Sequence, residues 1–169
     1  MNWNELAAKL TSAWDLTAEE RPDLFADIAH EDAVRGQFVK RLRVVFGTEY
    51  DIDENFNVMN YPDGTRGIKR IKPGEADTGR IAIDVVIHHP GSDESASNLL
   101  ALELKKKTAN RDWPDDIAKL TQVTSAPLGL RSFQYSYGLL IRYRPTALFS
   151  HAILFRNGLR SELNTITLL

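Results

Sequence analysis

Two acidic residues interrupt the two most apolar stretches of this chain. Asp84 lies within Ile81-Ala82-Ile83-Asp84-Val85-Val86-Ile87, and Glu103 within Leu99-Leu100-Ala101-Leu102-Glu103-Leu104-Lys105. Runs this apolar are typical of strands covered on both faces. A carboxylate there is costly unless it is paired, hydrogen-bonded or bound to a metal. Side chains alternate along a strand, so Glu103 and Lys105 share a face. If residues 85–102 form a hairpin, Asp84 lies beside them, and one site holds two carboxylates and an ammonium. That set suits phosphodiester hydrolysis. Hard divalent ions such as Mg2+ or Mn2+ take oxygen ligands, and one or two carboxylates with waters and a substrate phosphate complete the shell. The ion lowers the pKa of a bound water and stabilises charge on the phosphate. Lys105 would position that water or offset the developing charge. A lone acid in a strand is more often half of a structural ion pair. Three such groups in two apolar strands favour a site.

The same residues carry a resemblance. The run Ile83-Asp84-Val85-Val86-Ile87-His88, a polar loop with Gly91-Ser92-Asp93-Glu94, and Asn98-Leu99-Leu100-Ala101-Leu102-Glu103-Leu104-Lys105 are similar to the PD-(D/E)XK nuclease superfamily. The similarity is greatest to small bacterial and phage members, written as a Pro-Asp strand, a Gly-Ser/Thr-Asp/Asn-Glu loop and a Leu-Leu-x-x-Glu-x-Lys strand. Eighteen residues separate Asp84 from Glu103, which suits that hairpin. Asp84, Glu103 and Lys105 match the motif residue by residue, while Ile83 replaces its proline. In such members a glutamate on the preceding helix often completes the site, and Glu31 in His30-Glu31-Asp32-Ala33-Val34-Arg35 occupies the corresponding position. Weaker similarity runs through Asp115-Asp116-Ile117-Ala118-Lys119-Leu120 and the strand at 133–142, so that it covers most of residues 30–157.

The resemblance implies that Asp84, Glu103 and Glu31 bind the metal, with the Leu104 carbonyl as a further ligand, and that Lys105 positions the attacking water. It implies a nucleic-acid substrate, DNA in preference to RNA, and a homodimer that reaches both strands. Members of the superfamily have also lost activity, and a fold does not fix a function. Two other readings therefore stay open: an inert binding or dimerisation module, and a phage-defence effector held inactive until a regulatory protein partner or nucleotide signal arrives. No Gly-rich phosphate loop supports a nucleotide site.

Elements that would position these residues follow from periodicity. Trp3, Leu6, Ala7, Leu10 and Trp14 have helical spacing, and Thr17-Ala18-Glu19-Glu20 has the form of a capping box opening a second, short helix. Residues 30–46 form an amphipathic helix closed by Gly47. Its Arg35, Lys40, Arg41 and Arg43 read as a wet face. Residues 50–58 alternate as a strand, Tyr61-Pro62-Asp63-Gly64 is turn chemistry, and residues 65–79 are an irregular basic connection. A helix over 114–123, with Pro114 in its first turn and Ile117 and Leu120 on its buried side, precedes two more strands at 133–143 and 151–155. The expected fold is α/β with a restriction-endonuclease-like core, a mixed central sheet flanked by helices. Residues 1–169 make one domain, with 1–28 a helical N-terminal extension outside the resemblance.

Composition narrows the rest. The chain has no cysteine, which excludes disulfides and thiol catalysis and fits a reducing interior. It opens without a basic and apolar leader and holds no apolar run of the ~20 residues that a membrane helix needs, so the expected location is the cytoplasm with no membrane partner. A net charge of −2 argues modestly against a general nucleic-acid binder. Bound cations offset that objection. The basic stretch Arg66, Lys69, Arg70, Lys72 and Arg80, together with Lys107, is available for phosphate contact or is a solvated surface. Trp113, Phe133, Tyr135 and Tyr137 read as core before base-stacking groups. His88 and His89 read as strand-end residues, and His30 and His151 make no metal pattern.

Overall fold

The computed structural model describes residues 1–25, 30–56, 58–60, 66–68, 82–89, 98–106, 114–125, 134–144 and 149–163. Asn2 opens helix α1 (Trp3–Glu20): its side chain accepts the Glu5 N–H while the Glu5 carboxylate accepts the Asn2 N–H. This reciprocal capping box is the one that starts a helix here. Thr17 starts none. It lies inside α1, fully buried, and its hydroxyl donates to the Ala13 carbonyl at 2.8 Å. With no glycine or proline between Trp14 and Glu20, nothing stops α1 before Arg21.

A short 3-10 turn (Pro22–Phe25) leads towards α2 (Glu31–Phe46), which the His30 side chain caps and Gly47 closes with φ 63°. Leu6, Leu10 and Trp14 of α1 and Leu24 and Phe25 of the turn join Val34, Phe38 and Leu42 of α2 in one core. The segment before residue 28 therefore builds part of the wall that supports α2.

Six strands form the main sheet, in the order β1 (Asp51–Phe56), β4 (Ile83–His88), β5 (Asn98–Lys106), β6 (Tyr137–Tyr143), β7 (Phe149–Arg156), β8 (Leu159–Leu163). Only β5 and β6 pair in parallel, and α3 (Pro114–Thr124) lies between them in sequence. A separate small hairpin pairs β2 (Val58–Asn60) with β3 (Arg66–Ile68). The chain is thus a mixed α/β fold whose open, mixed sheet carries helices on both faces. Leu139 and Ile141 of β6 face the α1–α2 layer, while Leu140 between them faces α3. No described helix is long and apolar enough to cross a membrane.

Three expectations need correction. The strand expected from residue 133 begins at Tyr137, because Tyr135 donates its N–H to Val123 at the end of α3 and Ser136 donates to Asn98. β8 was not expected at all. Its exposed Arg160, Ser161 and Glu162 give it no apolar alternation. On α2, Lys40 and Arg43 are exposed as expected, while Arg35 and Arg41 are not. Arg35 is buried, Arg41 pairs with Glu20, and Arg43 donates to the Ile52 carbonyl of β1. Long cationic side chains reach past an apolar surface to distant acceptors, so their position on a helical wheel does not fix their exposure.

The turn at Tyr61–Gly64, the Gly91–Glu94 loop, Lys69, Arg70, Lys72, Arg80, Lys107, Trp113 and Phe133 lie outside the described residues, as do the side chains of Arg66 and His151.

Candidate active site

The antiparallel register of β4 on β5 pairs Val85 with Leu102, and one step further along that register Asp84 faces Glu103. On β5 the apolar residues Leu100, Leu102 and Leu104 point to the α1–α2 core and Ala101 to the α3 core, so alternation turns Glu103 towards α3. On β4 the alternation fails at one place. Ile83 and Val85 are two residues apart yet belong to opposite cores. Asp84 sits between these two residues, and its carboxylate meets Arg35 of α2 and Lys105 of β5.

From α2, Arg35 Nη1 donates to Asp84 Oδ1 at 3.0 Å. The other oxygen, Oδ2, accepts the Leu104 N–H at 2.9 Å and lies 3.4 Å from Lys105 Nζ. Glu31, in the first turn of α2, accepts the Lys106 N–H at 2.8 Å and lies 3.4 Å from Lys105 Nζ. Lys105 is the hub. Its ammonium also stands 3.6 Å from Glu103 Oε2 and 3.7 Å from Asp116 Oδ2. From α3, Lys119 bonds Glu103 Oε1 at 2.8 Å and Asp116 Oδ1 at 2.7 Å.

All of Asp84, Glu103, Lys105 and Glu31 are therefore brought together at one end of the sheet. Leu104 enters this group through its N–H. His88 stands apart: its ring lies 2.9 Å from the Asp53 carboxylate of β1, while His89 stacks on Tyr50. Sequence reasoning left Arg35, Asp116 and Lys119 out of the site. The signal was present. Arg35 follows Glu31 by one helical turn, and Asp116 and Lys119 are three apart on the side of α3 that carries Leu120 and Val123.

Burial sets the protonation of this cluster. The Glu103 side chain is 1% exposed, and burial together with the Asp84 charge pushes its carboxyl up to about 8 despite the Lys119 contact. Burial pushes Asp84 up as well, but the Leu104 N–H, Lys105, Glu103 and Arg35 outweigh it and leave its pKa below the ordinary value. Burial alone would lower the Lys105 ammonium; Asp84, Asp116, Glu31 and Glu103 raise it instead. Lys119 is raised in the same way, by Glu103 and Asp116. The contact between Lys119 and Glu103 favours an ionised acid, and burial favours a neutral one. Burial prevails because the side chain is almost wholly enclosed and both Asp84 and Asp116 add negative charge beside it.

The fit to a divalent ion has two sides. Carboxylate oxygens in a buried site are the donors that a hard cation takes. Among the described residues Glu103 Oε2 accepts no hydrogen bond; it lies 3.6 Å from Lys105 Nζ, and while Glu103 holds its proton the carboxyl bonds Asp84, so the oxygen is open to such an ion once that proton is lost. Against this, ammonium and guanidinium groups stand between the acids, and among the described residues no three acidic, histidine or cysteine side chains are spaced to hold a metal. The donor chemistry fits; the spacing is that of an ion-pair cluster. Comparison with known proteins found no matching family model, no matching characterised protein and no matching solved structure.

Proposed function

We propose that this chain is a Mg2+- or Mn2+-dependent nuclease, hydrolysing phosphodiester bonds of nucleic acid, with DNA the preferred substrate. The observation that carries the proposal is Glu103: a buried acid beside Asp84 whose Oε2, 3.6 Å from Lys105, accepts no hydrogen bond among the described residues. An ion-pair cluster leaves that oxygen only a long contact to Lys105, and a buried oxygen so poorly satisfied costs about 1–3 kcal/mol unless something binds it. The element order also supports the reading. Helix α2, antiparallel β1, β4 and β5, then α3 and parallel β6 agree with the restriction-endonuclease-like core that the sequence resembles.

Asp84, Glu103 and Glu31 would hold the ion, with Leu104 as a further contributor. When bound, the ion supplies a water of lowered pKa and a counter-charge for the phosphate. The protein's own groups do the rest. Lys105 stays protonated, because four carboxyl groups surround its ammonium, so it acts as a fixed positive charge and not as a base. Arg35 locks one oxygen of Asp84 and the Leu104 N–H directs the other, which fixes that carboxylate's orientation. Lys119 holds Glu103 Oε1 and leaves Oε2 for the ion.

The test is cleavage of plasmid DNA and of RNA under Mg2+ or Mn2+ titration, stopped by a chelator. Asp84→Ala should lose activity by about 100-fold or more, through loss of a ligand. Lys105→Ala should lose as much while metal-induced stabilisation persists. Full cleavage by Asp84→Ala would end the proposal. A second reading, an inert nuclease-fold module, is favoured by the ammonium groups lodged between the acids. It predicts no cleavage and a large stability loss in each single variant, with no response to metal.

A further inference from the structure

Of the three cations in the site, Arg35 alone has an acidic partner outside it among the described residues. Lys105 is held by Asp84, Glu103, Glu31 and Asp116, and Lys119 by Glu103 and Asp116, all members of the enclosed cluster. Arg35 spans two environments. Its Nη1 donates to Asp84 Oδ1 at 3.0 Å, and its Nη2 stands 2.8 Å from Asp32 Oδ1, one helical turn earlier on α2. The Asp84 side chain is 13% exposed and that of Asp32 62%, so the guanidinium bridges the enclosed cluster and the solvent-facing start of α2. Its Nε is buried and makes no hydrogen bond among the described residues. The group is thus incompletely satisfied where it stands.

The two oxygens of Asp84 differ in what they face. Oδ2 accepts the Leu104 N–H of β5, and Oδ1 faces Arg35. A divalent ion held by Asp84 with Glu103 and Glu31 therefore competes with the guanidinium for the same carboxylate. Charge decides the competition. With Glu31, Asp84, Glu103 and Asp116 ionised against Arg35, Lys105 and Lys119, the enclosed groups carry one negative charge in excess. A bound divalent ion turns this into one positive charge in excess, which is costly in an enclosed site. Removing one cation restores the balance. Arg35 is the one with an acid to go to, because Asp32 already holds its other nitrogen.

We infer that Arg35 is a gate on the metal site: it closes Asp84 Oδ1 in the metal-free protein and turns to Asp32 when a divalent ion binds. The inference rests on the nuclease reading, from which it takes the ion. It adds that the chain regulates its own metal loading. Only the fraction of molecules in which Arg35 has left Asp84 is competent to bind, so the apparent affinity for the ion falls by that fraction.

Isothermal titration calorimetry of Mg2+ into the chelator-treated full chain tests the gate. Arg35→Met should bind Mg2+ about tenfold tighter than the parent, because no guanidinium has to be displaced. Loss of a positive charge alone predicts the same direction, and Asp32→Asn separates the two causes. In the parent it should weaken Mg2+ binding about fivefold, since Arg35 loses its second anchor. In the Arg35→Met background it should change the affinity less than about twofold, because the Asp32 charge is exposed and screened. Arg35→Lys keeps the charge but cannot span both carboxylates, and it replaces the methionine variant in the same cycle should that one not fold. Circular dichroism confirms that each variant titrated is folded. Mg2+ binding that is no tighter in the Arg35 variant than in the parent, or an Asp32→Asn effect of equal size in both backgrounds, overturns the gate and leaves the nuclease reading standing. If no variant binds Mg2+ and the parent cuts neither DNA nor RNA, the nuclease reading falls and the gate falls with it.

Discussion

Replacing Glu103 by glutamine should make the metal-free protein more stable, by an amount that grows with pH. In the unfolded chain this acid loses its proton near 4.5, whereas in the folded protein it holds it to about 8. Between those values the unfolded state binds fewer protons than the folded one, so stability falls as pH rises. The contribution is fully present below 4.5 and fully lost above 8. At pH 7 the span is 2.5 pH units, which at about 1.4 kcal/mol each amounts to roughly 3 kcal/mol. Glutamine resembles the neutral acid, keeps an oxygen for Lys119, and does not titrate. Glu103→Gln should then melt about 6–12 °C above the parent at pH 7 in the presence of a chelator. At pH 4 the two should coincide. Scanning calorimetry between pH 4 and 9 measures the difference, and added Mg2+ should close the gap by stabilising only the parent. A variant less stable than the parent at pH 7, or an offset that does not change with pH, would refute the reasoning.

Arg35→Met should cost about 2–3 kcal/mol in urea denaturation, because Asp84 loses a close cationic partner while it stays largely buried. Saturating Mg2+ should restore part of that loss if the ion replaces the guanidinium. Gly158→Ala should cost about 1–2 kcal/mol from its positive φ alone. A Cβ there would also come within 2.4 Å of Ser125 Oγ, so Ser125→Gly should recover part of the drop in melting temperature.

The sequence makes some of this arrangement plain and hides the rest for physical reasons. The apolar runs around Asp84 and Glu103 are legible because a strand covered on both faces has no other use for an acid. The helical spacing of Val34, Phe38 and Leu42 is equally direct, and Gly47 marks the end of α2. Arg35 is harder to read. Its charge suggests solvent, while its position four residues after Glu31 aims it at the same carboxylates. Thr17 misleads because a capping box is only a pattern. Whether it caps depends on the preceding backbone leaving the helix, which α1 does not do. β8 escapes a reading by hydrophobicity, yet Asn157-Gly158 after an apolar strand is the strongest short-range hairpin signal there is.

The charge balance of the site links the fold to the proposed chemistry. Exposed Asp32 also pairs with Arg35, but within the enclosed part of the cluster Glu31, Asp84, Glu103 and Asp116 share the cations Arg35, Lys105 and Lys119. With every enclosed group ionised, that part of the cluster holds one negative charge too many. Burial does not tolerate that excess, and the most enclosed acid, Glu103, resolves it by keeping its proton. A divalent ion resolves it in the other direction, since it favours the ionised form of the same oxygen and must release the proton. A structural cluster built for stability would need neither solution, because three acids and three cations already balance. In the proposed function the fourth acid is costly without a metal ion and becomes useful when a further cation arrives. Stability given up at a buried position, and recoverable by a ligand, is the pattern of a functional site.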